Sequence, residues 1–399
     1  MNILFVTDNE ISPLQGGTER ITNTLASELI KRGHSCYSLY LYPIRQEFPK
    51  SEFSGKQQID IHNFHTEIPV LLSQYHITHI IVNLVQYKSK KALCEILYKT
   101  AHSKGIKVIA CYHAMPGEDF IGANLQNAFY KLLHHYETKQ AIKEIALKIL
   151  PSVIWRQRAK KKYRLMPENC DKFVLLSPHF YAPYSNLAQA PVANNWDFMP
   201  NALSFDEYLP IEKLKQKKKE VLIIARLDET SKRLSMALKI WHEIEKDNEL
   251  SDWQLNIVGG GKDADYYESI CKKIELSRCH LLGRQPEILP YYERASIFMM
   301  TSAYEGFGIT LTEAQQMGVV PIAFNSYESL QDIITHKENG VIVPNNDINS
   351  YTKELSELMK NDTYRIRLAQ NGLESCKQFS QEKITERWIR LLEETRLKE

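Results

Sequence analysis

The chain has 399 residues, 43% of them hydrophobic, and a formal net charge of +2. That length and apolar content can fill more than one hydrophobic core, and two or three domains are expected. The near-neutral charge excludes a globally basic nucleic-acid binder. No apolar run approaches the roughly 18 residues of a membrane-spanning helix.

Cysteines stand at 36, 94, 111, 170, 271, 279 and 376, odd in number and never as C-x-x-C. This pattern argues against a disulfide framework or a zinc site and fits a reducing cytoplasm. MNILFVTDNE runs straight into a strand pattern with no charged n-region, so no secretory signal is expected. The expectation is a cytoplasmic protein, soluble or at most bound to a membrane surface.

In chain order, residues 2–6 read as a strand, about 18–32 as a helix closed by Gly33, and 34–40 as a second strand. Strand-like 77–85, helical 90–103 and strand-like 106–112 continue the alternation. Near-continuous apolar strands alternating with helices predict a parallel, doubly wound α/β sheet. Residues 123–164 change to long helical segments broken at Pro151, and 172–177 restore a strand. Four prolines within 182–210 predict an irregular connection with one short strand at 196–199. A lysine-rich stretch at 210–220 reads as a linker or solvated helix.

Alternation then restarts, with strands expected at 221–226, 254–258, 280–282, 296–300, 319–323 and 340–343. The final helix, about 381–397, carries Ile384, Trp388, Leu391 and Leu392 on one stripe. Three parts follow: 1–205, a Rossmann-like acceptor domain; 206–378, a Rossmann-like donor domain; and 379–399, a helix returning toward the first. Two such domains in series would face each other across a cleft, with ligands at the carboxyl ends of the strands.

The most informative stretch is TSAYEGFGITLTEAQQM, 301–317, which leads from a buried strand into a helix. Glu305 falls in the turn and Glu313 inside the helix, with Gly306 and Gly308 between them. Unpaired N–H groups at a helix start suit a diphosphate. Carboxylates suit vicinal hydroxyls better than phosphate. Together they suggest a nucleotide-sugar site.

Arg226 at a strand end and Lys232 at the next helix start can neutralise a diphosphate leaving group. Gly16 and Gly17 before a helix allow close backbone approach to phosphate, although a loop with Thr18 as helix cap fits equally well. His113, in CYHAMPG after a strand, can hydrogen-bond a sugar hydroxyl or phosphate, or be purely structural.

Three patterns invite other readings. Gly259, Gly261 and Ala264 fit G-x-G-x-x-A, but the loop is the second of its domain and no acid ends a following strand at the expected distance. Asp263-Ala-Asp265 resembles a metal-binding D-x-D, yet acids at a helix start favour the dipole. The segment between Lys131 and Arg164 holds ten Lys/Arg against two Glu. It reads as an anionic-membrane or lipid-phosphate surface, a nucleic-acid stripe, or a solvated helical face.

With these residues assembled, the chain resembles retaining glycosyltransferases of family 4, with the two-domain GT-B fold. The resemblance covers most of residues 2–395 and is strongest from Val221 to Pro344, through VLIIARLDETSKR, LNIVGGG, HLLGR and the E-x7-E of Glu305 and Glu313. Its closest flavour is that of bacterial enzymes building lipopolysaccharide, capsule or other surface glycans.

The resemblance implies that Glu305 holds donor-sugar hydroxyls and Glu313 the ribose diol. Arg226 and Lys232 would neutralise the diphosphate, helped by amides from Phe307, Gly308, Ile309 and Thr310, with Gly306 in the same turn. Gly17, beside Gly16, would leave room for diphosphate and acceptor, His113 would contact the donor sugar, and Arg284 would border the nucleobase. The Arg-to-Lys spacing is one residue longer than the commoner family form.

The implied reaction needs no metal or cofactor and uses a nucleotide-sugar, UDP favoured, with a glycan or lipid-linked acceptor. Nucleic acid is not an expected partner; apart from the resemblance, the basic stretch between Lys131 and Arg164 leaves peripheral contact with an anionic membrane open beside a solvated helical face. The rival readings are a GT-B-like nucleotide-sugar epimerase or phosphorylase, and a non-catalytic basic-surface binding protein.

Overall fold

The structure, a computed structural model, describes residues 1–12, 16–44, 52–60, 63–83, 91–118 and 152–396, with single positions 132, 138, 142 and 145 between. Two compact units account for the chain, and both are discontinuous: the first takes in residues 1–117, 142–204 and 379–399, the second 118–141 and 205–378.

The first unit is built on β1 (Asn2–Asn9), β2 (Ser35–Tyr42), β3 (Gly55–Gln58), β4 (His79–Asn83), β5 (Lys107–Tyr112), β6 (Lys172–Leu175) and β7 (Trp196–Phe198). They form one sheet in the order β3-β2-β1-β4-β5-β6-β7, and every pairing is parallel. Parallel strands covered on both faces must be apolar throughout, and β4 is buried at all five positions. The expected doubly wound α/β unit is therefore present.

Two elements had no sequence signal. Edge strand β3 is the polar GKQQ, paired only with β2, and helix Phe64–Gln74 carries Pro69 inside it. The connection expected to be irregular contains helix Tyr181–Ala188. Pro183 is its third residue, where the missing N–H is one the first turn leaves unpaired anyway.

Helix Gln381–Arg396 closes the first core. Ile384, Trp388, Leu391 and Leu392 cluster with Ile3, Phe5, Leu25, Leu29 and Ile81, and all nine are at least 90% buried. A buried polar contact fixes the helix: His79 Nε2 donates to the Leu392 carbonyl at 3.0 Å, while Nδ1 lies 2.9 Å from the Thr78 hydroxyl. A carbonyl only accepts, so this geometry needs the Nε2–H tautomer.

Burial lowers the His79 pKa to about 4. The unfolded chain therefore takes up this proton first, near the ordinary value of 6.5, and the folded state loses stability as pH falls from there toward 4. Between pH 7 and pH 5 the expected loss from His79 alone is about 2 kcal/mol. Denaturant titrations at both pH values, on the native chain and on His79→Gln, check it: the variant should lack this share of the acid sensitivity.

The second unit has β8 (Glu220–Ile224), β9 (Gln254–Val258), β10 (Cys279–Leu281), β11 (Ile297–Met300), β12 (Val320–Asn325) and β13 (Val341–Pro344). Their order is β10-β9-β8-β11-β12-β13, again all parallel. The lysine-rich linker becomes a short 3-10 turn, Ile211–Gln216, anchored by buried Leu214.

Among the described residues no helix is long and apolar enough to cross a membrane. All seven cysteines are free thiols. Of the basic segment, helix Ser152–Arg164 is described, with Arg156, Arg158 and Lys161 exposed and Tyr163 buried. Apart from four single positions, 131–151 lies outside the described residues.

Candidate active site

In a doubly wound sheet, ligands settle beyond the carboxyl ends of the strands where the winding reverses. In the second unit that point lies between β8 and β11, which are neighbours although separated by two strands in sequence. The chain leaving β8 carries Arg226 and Lys232, and the chain leaving β11 carries Glu305. Topology alone brings the three into one neighbourhood.

Lys232 Nζ lies 2.5 Å from Glu305 Oε1, with both side chains largely buried at 19% and 16% exposure. Ser302 Oγ donates to the same carboxylate oxygen at 2.6 Å. The ammonium of Lys232 is held by a short helix, Glu229–Lys232. Asp228 caps it through the Thr230 N–H at 3.1 Å, and Asp263 accepts from the Glu229 N–H at 2.7 Å. A turn of helix thus sets Lys232 on Glu305.

Arg233, which sequence reasoning missed, ties the two strand ends together. It ends the short helix at φ 48°, in the left-handed region. Its guanidinium donates to the Thr301 carbonyl at 2.9 Å, the Ser302 carbonyl at 2.6 Å and Asn346 Oδ1 at 2.6 Å. Two further bonds cross the same gap: Thr301 Oγ1 to the Lys232 carbonyl at 2.9 Å and Ala303 N–H to the Ser231 carbonyl at 2.7 Å. Burial lowers the Arg233 pKa to about 10, which leaves it charged at neutral pH.

The glycine run after β9 has a structural account. A Cβ on Gly259, where φ is +148°, would lie 1.8 Å from the Ala225 carbonyl oxygen, and one on Gly261 would lie 2.3 Å from that of Leu227. The absent side chains let this loop lie directly on the backbone that leaves β8, fastened by Leu227 N–H to the Gly260 carbonyl at 3.1 Å. The apparent D-x-D resolves the same way. Asp263 is 5% exposed, accepts from the Glu229 N–H and begins helix Ala264–Lys273.

Helix Ile309–Gln316 starts after Gly308, whose φ of +98° favours glycine. Phe307 is buried, Ile309 and Thr310 are half-buried, and the Gly306 carbonyl accepts from Ser329 Oγ at 3.2 Å. Glu313 is fully buried, and Tyr292 OH donates to its Oε2 at 2.9 Å. The Arg226 side chain is 71% exposed and 3.8 Å from Asp228, so this ion pair holds it loosely. Arg284 is exposed in the loop after β10, against Gly260.

Arg226, Lys232, Arg284, Gly306, Phe307, Gly308, Ile309, Thr310, Glu305 and Glu313 thus belong to the second unit, while Gly16, Gly17 and His113 belong to the first. Gly16 caps helix Gly17–Lys31, so Thr18 lies inside the helix rather than at its cap, and both glycines are exposed. His113 follows β5 directly, and burial lowers its pKa to about 4.

Residues 204–375 match the family model described as "Glycosyl transferases group 1". The chain is 29% identical over 195 residues to an uncharacterized glycosyltransferase of Haemophilus influenzae, covering 48% of this chain and 53% of that protein. It is 26% identical over 196 residues to a Campylobacter jejuni protein, covering 49% of this chain and 54% of that one; the relative is named GalNAc-alpha-(1->4)-GalNAc-alpha-(1->3)-diNAcBac-PP-undecaprenol alpha-1,4-N-acetyl-D-galactosaminyltransferase. The chain spans about half the length of these curated relatives.

Among solved structures, Anabaena Alr3699/HepE, in complex with UDP and glucose, aligns with a TM-score of 0.71 at 13% identity, over 99% of this chain and all of that one. The pneumococcal O-GlcNAc transferase GtfA, in complex with UDP and GlcNAc, aligns at 0.72 and 12% identity, over 98% and 99% of the two chains. At such identities the likeness is one of fold.

Proposed function

We propose that the chain is a glycosyltransferase that moves a sugar from a nucleoside-diphosphate donor, UDP favoured, to a glycan or lipid-linked acceptor in bacterial surface-polysaccharide or lipopolysaccharide synthesis. The observation that carries this reading is the Lys232–Glu305 pair at the switch point of the second sheet. An ammonium and a carboxylate there divide the donor between them. The diphosphate competes for the Lys232 charge, and Glu305, so released, accepts from sugar hydroxyls. The start of helix Ile309–Gln316 adds unpaired N–H groups for the same diphosphate, and exposed Arg226 can fold over it as a fork.

In this reading Glu313 sits near the ribose and Arg284 near the base. Lys232, Arg226 and the helix start neutralise the departing nucleoside diphosphate, so the reaction is metal-independent. It proceeds with retention, as in family 4, the leaving phosphate taking the acceptor's proton. Gly17, beside Gly16, leaves room for the diphosphate and acceptor, and His113 contacts the donor sugar. We place the protein in the cytoplasm, peripherally on the inner face of the membrane, with the basic residues between Lys131 and Arg164 as its contact.

A thermal-shift series with UDP, GDP and ADP tests the donor site. A ligand at about 100 times its dissociation constant stabilises the folded state by about 2.7 kcal/mol. The expected order puts UDP first. Absence of a shift with all three nucleotides would remove the donor site and the proposal with it.

A further inference from the structure

Of the seven cysteines, five are buried, while Cys271 and Cys279 keep part of their surface in solvent. These two come from neighbouring elements: Cys271 lies near the end of helix Ala264–Lys273, and Cys279 opens β10. Their side chains are hydrogen-bonded to each other. The turn that brings them together is fastened along its length. Leu276 N–H returns to the Cys271 carbonyl at 3.0 Å, just after Glu275 takes a left-handed φ of 54°. Glu245 then accepts from the Ser277 N–H at 2.9 Å and the Arg278 N–H at 2.7 Å. The Arg278 guanidinium donates to the Trp253 carbonyl at 2.9 Å, and Cys279 is registered opposite Leu255 of β9.

The two sulfurs are not equivalent. A thiol that donates a hydrogen bond to a neighbouring sulfur favours that neighbour's thiolate and is itself harder to ionise. The bond from Cys279 accordingly holds the Cys271 thiol below its ordinary range, and the same bond, with burial, pushes Cys279 up. Burial raises Cys36 and Cys376 to about 12, and it raises Cys111 and Cys170 as well. The thiolate is the reactive form, so thiol chemistry on this chain begins at Cys271.

We propose that Cys271 and Cys279 form a reversible disulfide, Cys271 being the thiol that meets a hydroperoxide and Cys279 the one that resolves it. The Cys271 thiolate attacks one oxygen of hydrogen peroxide. The O–O bond breaks, an S–O bond forms, and the leaving hydroxide takes a proton to become water. Cys279 then attacks the sulfenic sulfur. The S–S bond forms, the S–O bond breaks, and the departing hydroxide takes up the proton that Cys279 releases. Two thiols and one peroxide thus give one disulfide and two waters, with two electrons passing from sulfur to oxygen. A dithiol reductant restores both thiols by exchange, so in a reducing compartment the bond is transient.

The disulfide bolts helix Ala264–Lys273 to β10, an edge strand paired only with β9. The loop leaving that strand rests on the glycine run, where the Gly259 N–H donates to the Gly283 carbonyl at 2.9 Å. Nothing in this chemistry depends on the glycosyltransferase reading.

The test exposes the full, reduced chain to a small excess of hydrogen peroxide, then denatures it and alkylates with N-ethylmaleimide. Trypsin separates the two cysteines into the peptides 263–272 and 279–284. Mass spectrometry should find these two joined, lighter by two hydrogens than their sum, with the other five cysteines alkylated. Dithiothreitol before alkylation should return both peptides with alkylated thiols. Cys279→Ser should leave Cys271 as a sulfenic acid that dimedone captures. Cys271→Ser should slow the loss of the Cys279 thiol by about tenfold or more. The native chain gives the primary result, so a variant that fails to fold leaves the test intact.

Both peptides alkylated after peroxide, a bond to any of the other five cysteines, or Cys271 driven to sulfinic acid with no joined pair would overturn the proposal. A bond found only between two copies of the chain, seen as a dimer on a non-reducing gel, would overturn it as well.

Discussion

Replacing Glu305 with alanine is expected to lower sugar transfer by on the order of 10²–10³-fold while leaving the chain folded. The carboxylate is the one acceptor that both Lys232 and Ser302 address, and the proposed reading gives it the donor-sugar hydroxyls. Its loss removes that acceptor and leaves the Lys232 ammonium without its carboxylate, so the diphosphate meets a cation no longer held in place. The pair is 19% and 16% exposed, so solvent can reach Lys232 and the stability cost stays at about 1–3 kcal/mol. Initial rates with a UDP-sugar and a thermal melt check both halves. Undiminished turnover in the alanine variant would take Glu305 out of the reaction altogether.

The second large effect lies in a loop that touches no ligand in the proposed reading. Gly261→Ala places a Cβ 2.3 Å from the Leu227 carbonyl oxygen and 2.7 Å from the Leu227 N and C atoms. Gly259→Ala places one 1.8 Å from the Ala225 carbonyl oxygen. All these neighbours are backbone, so the chain leaving β8 must move, at an expected cost of about 3–5 kcal/mol in each variant. Gly260→Ala meets only the Arg284 Cβ at 3.5 Å, an ordinary contact, and should fall within about 0.5 kcal/mol of the native chain. Denaturant unfolding of the three variants, followed by UDP titration, reads the contrast. Three indistinguishable alanine variants would dispose of the close-packing account.

Strand and helix order in both units was readable because buried parallel strands are written as unbroken apolar runs, such as VLII in β8 and IFMM in β11. Where burial is partial the signal disappears: β3 is GKQQ at a sheet edge, held by backbone bonds to β2 that no side-chain pattern advertises. The Glu305 region was legible because glycines, acids and a helix start occur within a few residues of one another.

The features that hold Lys232 against Glu305 were not legible, since they are contacts between distant segments. Arg233 looks like any surface arginine in SKR until its bonds to the Thr301 and Ser302 carbonyls are seen. Asp263 and the glycines only resemble metal and dinucleotide motifs, and their described contacts support the lysine loop. Cys271 and Cys279 gave no signal as a pair, because their contact is a property of a folded neighbourhood rather than of their spacing.

Because helix Gln381–Arg396 completes the first hydrophobic core, that core is assembled from segments that lie on either side of residues 205–378 in the sequence. During synthesis the ribosome must finish the entire second unit before Trp388 and Leu392 emerge. Until then the nascent first unit leaves a strip of Leu25, Leu29 and Ile81 without its apolar cover. The order of maturation is thereby inverted: the unit translated first is the last to become fully native, and a chain cut short before residue 379 would present chaperones with a sheet lacking part of its lid.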